Sequence, residues 1–238
     1  MPDSVVDVCD LSKSYIDGTE QVRVLSNLSF SITHRQSMAL MGPSGSGKST
    51  LINILSGIEP ADDGDIRLFG ESASNQDAAG WSELRGKRIA TVFQDDNLMP
   101  TLSLGDNIRL RAQLAGKTNV DVEHWLNILG LAKLGHRFPN QVSGGQRQRA
   151  ALAMAFAMQP GLLLADEPTA SLDGATALQV ADVLFHHQHE TGCPMLLSTH
   201  DPALAARCDD ILALASLARA DIPADRSGTP GDGSDGGQ

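Results

Sequence analysis

The stretch GPSGSGKST at residues 42–50 spaces its glycines, lysine and serine as G-x-x-x-x-G-K-S, directly after the apolar run SMALM and directly before LINIL. That order is what a polyanion needs. Gly42, Gly45 and Gly47 let backbone N–H groups converge on phosphate oxygens, and a helix starting there adds the positive end of its dipole. Lys48 reaches the β and γ phosphates, and the Ser49 hydroxyl can ligate magnesium. A plain Gly-Ser turn would not require Lys then Ser ahead of a helix whose Leu51, Ile54 and Leu55 share one face and which Gly57 can terminate. The whole stretch, Gly42, Pro43, Ser44, Gly45, Ser46, Gly47, Lys48, Ser49 and Thr50, is the candidate ATP-binding loop.

Such a loop needs carboxylates on a neighbouring strand, and LLLADEPTASLD at residues 162–173 supplies them. Asp166 can hold magnesium through water, and Glu167 can orient and deprotonate an attacking water. A strand running into a turn at Pro168 explains the proline but not two adjacent acids at the lip of an apolar strand, where they would be costly without a cation. Two further apolar runs stop at polar residues, RIATVFQ at Gln94 and PMLLSTH at His200. Gln94 can ligate the metal and sense the γ-phosphate, and His200 can hydrogen-bond that phosphate and hold the catalytic geometry. Each alone is weak; four polar strand ends in one sheet are not.

A second phosphate grip is written into VSGGQRQRAALA at residues 142–153. Ser143 followed three residues later by Gln146 is a helix capping box, which accounts for those two residues structurally. It does not account for Gly144 and Gly145, which cost helix stability in the first turn. What they provide is open backbone amides at a positive helix end. Because residues 42–50 already enclose their own nucleotide, this second grip is expected to take the γ-phosphate held by another subunit. Two grips imply a head-to-tail pair with ATP sandwiched between.

The elements that must position these residues are legible as apolar runs of four to six residues separated by helical patterns, the signature of buried parallel strands whose carboxyl ends collect ligands. SMALM, RIATV, LLLAD and PMLLS are four such strands. Earlier, VVDVCDL alternates as a half-buried strand does, and FSI at 30–32 and DIRLF at 65–69 suggest two more. Residues about 97–158 carry apolar positions at helical spacing in LGDNIRLRAQLAG, VEHWLNILGLAKL and SGGQRQRAALAMAFAM, predicting an inserted helical subdomain. The tail ADRSGTPGDGSDGGQ has no apolar anchor, so disorder is expected from residue 221 to 238.

Bulk properties limit the partners. A chain of 238 residues can bury a sizeable core. The formal net charge is −11, three of those charges from the tail segment starting at Asp221, and such a surface repels nucleic-acid backbone. The short basic runs RGKR and RQR read as solvated faces. No apolar run approaches the roughly 18 residues of a membrane span, and MPDSVVDVCD lacks the pattern of a signal peptide. A cytosolic protein without direct lipid insertion is the expectation. Cys9, Cys193 and Cys208, odd in number and widely spaced, argue against a disulfide framework and against metal ligation.

Taken in order, GPSGSGKST, VFQ, VSGGQ, LLLADEPTASLD and STH make the chain resemble the nucleotide-binding subunit of an ATP-binding cassette (ABC) transporter over about residues 4–212. The resemblance implies an α/β fold: a P-loop NTPase core with a mostly parallel sheet, an N-terminal antiparallel β subdomain and an inserted α-helical subdomain. The ATPase domain would span residues 1–220, its core about 1–96 and 159–220 and its helical part about 97–158. Family likeness also places Tyr15 where an aromatic ring stacks on adenine, and Asp173 in the loop through which two protomers communicate. The implied cofactors are ATP and Mg2+. The implied partners are a second copy or pseudo-copy of the chain and integral membrane permease subunits, on the cytoplasmic face of an inner membrane.

YIDGTEQVRVLSNLSFSI and VFQDDNLMPTLSLGDNI look most like ATPases of lipoprotein-releasing and macrolide-export complexes. The chain departs from the pattern at Val142, at Met154, in HRQ before the P-loop strand, and after His200, where an Asp-Gly hairpin is missing. None of these removes a catalytic group. A different class, an ABC-type mechanical or signalling ATPase gating a cell-wall enzyme through a membrane partner, fits the same motifs; the gene neighbourhood separates the two. DNA repair would need a coiled-coil or zinc insertion and a basic face. Leu98, Met99 and Leu102 offer an apolar lining for a partner helix. Trp81, Trp125, Met154 and Met158 read as packing residues, and FHHQHE at 185–190 as a solvent-facing helix end whose His186 and His189 make a metal clip only on paper.

Overall fold

The computed structural model describes residues 4–18, 20–94 and 97–215. The expected disorder of residues 221–238 lies outside them. Strands β1 (Ser4–Asp17) and β2 (Glu20–Thr33) form a long antiparallel hairpin, which β4 (Asp63–Leu68) and β5 (Glu71–Ser72) extend to a sheet ordered β2-β1-β4-β5. The alternation of VVDVCDL survives only in part. Register shifts between Val8 and Leu11 bring Leu11, not Asp10, to the buried face, with Asp10 taking the extra turn at φ 52°.

The second sheet is wholly parallel. Strands β3 (Ser37–Met41), β6 (Ile89–Val92), β7 (Leu162–Asp166), β8 (Met195–Ser198) and β9 (Asp210–Ala213) lie in the order β6-β7-β8-β3-β9. Its central strands are apolar except at their ends because both faces are covered. Leu40, Ile89, Leu162, Leu164 and Leu196 point to the core shared with the antiparallel sheet and helix α1 (Lys48–Leu55). Ala90, Val92, Leu163, Ala165, Met195 and Leu197 point the other way. They meet helices α3 (Leu104–Leu114), α4 (Val122–Ile128), α5 (Gly144–Ala157) and α6 (Gly174–Thr191). Phe156 on α5, fully buried, is the largest anchor of that side, and its truncation to Ala should cost roughly 3–5 kcal/mol.

Between β6 and β7 the described chain makes only helices and turns, as the periodicity predicts. Each helix carries its own start signal: Ser103 accepts from Asp106 N–H, Asp121 from His124 N–H and Ser143 from Gln146 N–H. Arginines link α1, α2 (Ala78–Lys87) and this segment in series through helix ends. From α2, Arg85 donates to the carbonyls of Ser56 and Gly57 at the close of α1, and Arg111 on α3 donates to those of Gly86 and Ile89 around the close of α2. After His200 the place of the missing hairpin is taken by a short helix α7 (Pro202–Ala205) and then β9, which adds to β3 in parallel. Among the described residues no helix is long and apolar enough to cross a membrane.

Candidate functional site

Parallel register brings the carboxyl ends of four strands level: Leu40 pairs with Ser198, Ser198 with Asp166, and Ala165 with Val92. The residues immediately beyond those ends line one cleft of about 570 Å³, which contains Ser44, Gly45, Gly47, Lys48, Ser49 and Thr50 together with Gln94, Asp166, Glu167 and His200. Thus the four polar strand ends read from the sequence converge as expected. Val24 and Ala170 line the same cleft and carry no sequence signal.

Gly47 begins α1 at φ 95°, a left-handed conformation that suits glycine. A side chain there would also meet Val24 Cγ1 at 2.8 Å and Leu25 Cδ2 at 2.9 Å, so β2 rests directly on the loop. Lys48 folds back over the loop, its Nζ donating to the carbonyls of Gly42 at 2.8 Å and Pro43 at 3.1 Å. Ser46 is buried and its hydroxyl has no protein partner. An orphaned hydroxyl, an inward-facing ammonium and open amides in one loop fit a polyphosphate.

Asp166 is buried at 5 % exposure, and its Oδ1 accepts a hydrogen bond from the Ser198 hydroxyl. Ser198 also receives the next residue: Glu167 N–H donates to its Oγ at 3.0 Å and to its carbonyl at 3.2 Å. Glu167 itself sits at φ 48°, unusual for a non-glycine residue, and this pair of bonds holds it there. From that residue the side chain reaches His200, whose Nδ1 lies 3.0 Å from both Oε1 and Oε2. The two carboxylates of the one cleft are therefore held differently, the more buried Asp166 by a serine and Glu167 by a histidine. Ser198 is a functional residue without a sequence signal of its own, since STH points only to its histidine. The donor set of Ser49, Asp166 and Gln94, all oxygen-bearing and on one cleft, fits a hard divalent cation such as Mg2+.

At the other end of the loop, the Tyr15 hydroxyl is 3.2 Å from Thr50 Oγ1. Lys13, anchored to Pro60 O at 2.8 Å and Asp62 Oδ1 at 3.0 Å, holds its ammonium 5.5 Å from the centre of the tyrosine ring. Burial raises the phenol above its ordinary range, so it stays protonated, leaving a partly exposed aromatic face beside the loop.

Ser143, Gly144, Gly145 and Gln146 are not among the residues lining the cleft. The capping box is present in both directions, Gln146 N–H to Ser143 Oγ at 3.3 Å and Ser143 N–H to Gln146 Oε1 at 2.9 Å. The two glycines differ. Gly144 is exposed with room for a side chain, whereas a Cβ on Gly145 would stand 2.9 Å from Leu172 Cδ2. The Leu172 side chain, next to Asp173, therefore packs against the second glycine and not the first. Asp173 caps α6 by accepting from Thr176 N–H at 3.0 Å, and the Thr176 hydroxyl and N–H hold its carboxyl below the usual range.

Other expectations resolve by packing. Trp81 lies over Gly57, Trp125 stacks near Phe156, and Met158 is fully buried. Leu98 is in the core while Met99 is 51 % exposed, so the apolar lining is not formed by all three residues named. His186 and His189 face solvent, but His187 does not: its ring lies 4.2 Å from Phe156 and 5.4 Å from Trp125, centre to centre. The reading of FHHQHE as a solvent face is corrected there, because α6 turns every fourth residue back onto α5.

A fold of this kind, with this cleft, defines an ABC-type ATPase. A family model described as ABC transporter matches residues 25–170, and the chain belongs to that family. It is 39 % identical over 216 residues to the uncharacterized ABC transporter ATP-binding protein YbbA of Escherichia coli strain K12, covering 89 % of this chain and 95 % of that one. It is 38 % identical over 213 residues to the lipoprotein-releasing system ATP-binding protein LolD of Treponema pallidum strain Nichols, covering 88 % and 94 %. Among solved structures, the dimeric post-hydrolysis state of the ATP-binding cassette MJ0796 bound to ADP and Pi superposes with a TM-score of 0.83 at 30 % identity, covering 88 % of this chain and 94 % of that one. The protein is an ATP-binding, ATP-hydrolysing subunit of an ABC transporter.

Proposed function

We infer that the chain powers a membrane transport or extrusion complex by closing, with a second copy or close relative, around two ATP molecules. The observation that carries this is the separation of the two phosphate grips: the P-loop lies on one cleft with Asp166, Glu167, Gln94 and His200, while the Ser143 helix end lies off it. One chain can fill its own loop but has no phosphate of its own for the second grip. Dimeric MJ0796 cassettes, with the same fold, support a paired arrangement.

Within each cleft the residues take separate roles. Gly42 to Thr50 wrap the phosphates, Lys48 exchanging its contacts with Gly42 O and Pro43 O for phosphate oxygens, and Tyr15 stacks on adenine. Ser49, Gln94 and Asp166 hold Mg2+, which supplies charge neutralisation at the phosphates when bound. Glu167 accepts the proton of the attacking water. His200 steadies that carboxylate through Nδ1, leaving Nε2 to reach the γ-phosphate. Asp173 carries the state of one site to the other protomer.

The working partner is an integral membrane permease, and the chain sits peripherally on the cytoplasmic face of the inner membrane. LolD relatives support a lipoprotein-releasing or related extrusion type, in which the substrate is chosen by the membrane partner. The decisive experiment is Ser143→Arg in a Glu167→Gln background, followed by ultracentrifugation with ATP. An ATP-dependent dimer in the parent and a monomer in the double variant, each with unchanged ATP affinity, is the expected result. If Ser143 is a helix cap alone, the variant loses about 1 kcal/mol of stability and dimerises normally, and the sandwich is then wrong.

A further inference from the structure

Gln148 sits on α5, five residues beyond Ser143, and is 2 % exposed. A buried amide in the middle of an Ala- and Leu-lined helix face needs a partner, and its Nε2 donates to the carbonyl of Phe93 at 3.2 Å. That carbonyl belongs to the peptide unit whose N–H is that of Gln94. Because a peptide unit is planar, fixing the Phe93 oxygen fixes the direction in which the Gln94 Cα leaves β6. Gln94 is exposed at the cleft beside Asp166 and Glu167, with no regular strand beyond Val92 to hold it. The amide of Gln148 is thus a tether on the backbone of a cleft residue, reaching from a helix that does not itself line that cleft.

We propose that Gln148 is a positioning residue that couples the two phosphate grips of one chain, setting the Gln94 backbone in its own cleft according to what the Ser143 end of α5 holds. The inference rests on the sandwich reading given above. A helix moves as a rigid rod, and Ser143 and Gln148 are separated by about one and a half turns. A shift of the first turn toward a partner's γ-phosphate is therefore delivered to the Phe93 carbonyl without loss. Other contacts of the first turns keep the rod whole: Arg149 donates to the carbonyls of Gly145 and Leu129, and Arg147 to that of Val142. The ligand that sets the tether is the terminal phosphate of a nucleotide bound to a second copy; the effect read is cooperative hydrolysis.

The test uses the full chain with Gln148→Met, which keeps length and loses the donor, and Gln148→Glu, which regains a donor only when protonated. For Gln148→Met we expect ATP affinity and, in a Glu167→Gln background, the ATP-dependent dimer to be retained. Its kcat should fall at least about tenfold, with a Hill coefficient for ATP near about one and a raised half-saturating Mg2+ concentration. The ratio of Gln148→Glu to wild-type kcat should climb as pH is lowered from about 8 to about 6, because a carboxyl in this buried place takes up its proton readily, while Gln148→Met shows no such recovery. Gln148→Glu carries the test alone if the apolar variant does not fold. Wild-type kcat and Hill coefficient in Gln148→Met, or identical pH behaviour of the two variants, overturns the coupling while leaving the sandwich intact. A Glu167→Gln chain that stays monomeric with ATP removes the sandwich and the coupling together.

Discussion

His200 Nδ1 stands 3.0 Å from each carboxylate oxygen of Glu167, a bifurcated approach from the end of β8 to the residue that leaves β7 at φ 48°. The left-handed backbone turns Glu167 out of the line of Asp166, and the imidazole limits where it can go. A carboxylate so held is pre-positioned rather than searching. Glu167→Gln keeps the shape and the hydrogen bonding but cannot accept a proton, so kcat should fall by on the order of 10²–10⁴-fold with ATP affinity preserved. Equilibrium nucleotide binding and steady-state turnover on the same preparation check it. Near-wild-type turnover would remove Glu167 from the role. Lys48→Ala, by contrast, should lose affinity itself.

Much of this site is legible in the amino-acid sequence alone. β3, β6, β7 and β8 announce themselves because strands buried on both faces leave uninterrupted apolar runs, and the polar residue that stops each run is forced to the cleft. β9 also lies in an apolar run, ILALA at residues 211–215, but no residue lining the cleft follows it, and Ile211 at the sheet edge is half exposed. Ser198 and Gln148 are silent for another reason. Neither belongs to a local pattern that declares its partner, and their roles arise from contacts 32 and 55 residues away in sequence. Gly145 declares its free amide, but its neighbour Leu172 emerges only when the chain folds.

That neighbour makes a compensating pair. Gly145→Ala should favour the helix by up to about 1 kcal/mol, yet its Cβ would arrive 2.9 Å from Leu172 Cδ2 and displace that side chain, next in sequence to Asp173. The expected phenotype is a protein as stable as wild type or more so, with impaired hydrolysis. Adding Leu172→Ala should restore turnover in part by vacating the space. Thermal unfolding and ATPase rates on the two single variants and the double variant form the cycle; independent, additive losses in rate would show that the two residues do not communicate.

Met99 offers a third test. Asn107 on α3 clamps its backbone on both sides, accepting from Met99 N–H at 2.7 Å and donating to Met99 O at 3.2 Å, and so presents an exposed apolar side chain on a fixed pedestal. If a permease helix seats there, Met99→Glu should spare ATP binding and stability, since a substitution at this exposed site stays within about 0.5 kcal/mol, and should abolish co-purification with the membrane partner. Assembly and coupled turnover at wild-type levels would move the docking surface elsewhere.

The last prediction concerns His187, wedged between Phe156 and Trp125 with its Nε2 buried and without a partner. Burial, and then the neighbouring His186, lower it from 6.5 to about 4. Above pH 6.5 the ring is neutral in both folded and unfolded chains, and its packing counts in full. Between that pH and about 4 the unfolded chain takes up a proton that the folded chain refuses, so stability is lost as pH falls, by on the order of 3 kcal/mol once the window is crossed. His187→Phe keeps the ring contacts and deletes both the orphaned nitrogen and the titration. At neutral pH it should be more stable by about 1 kcal/mol. Its urea midpoint should also decline less steeply than wild type on acidification through that window. Parallel curves for the two proteins would mean that α6 opens enough to hydrate the ring before the chain unfolds.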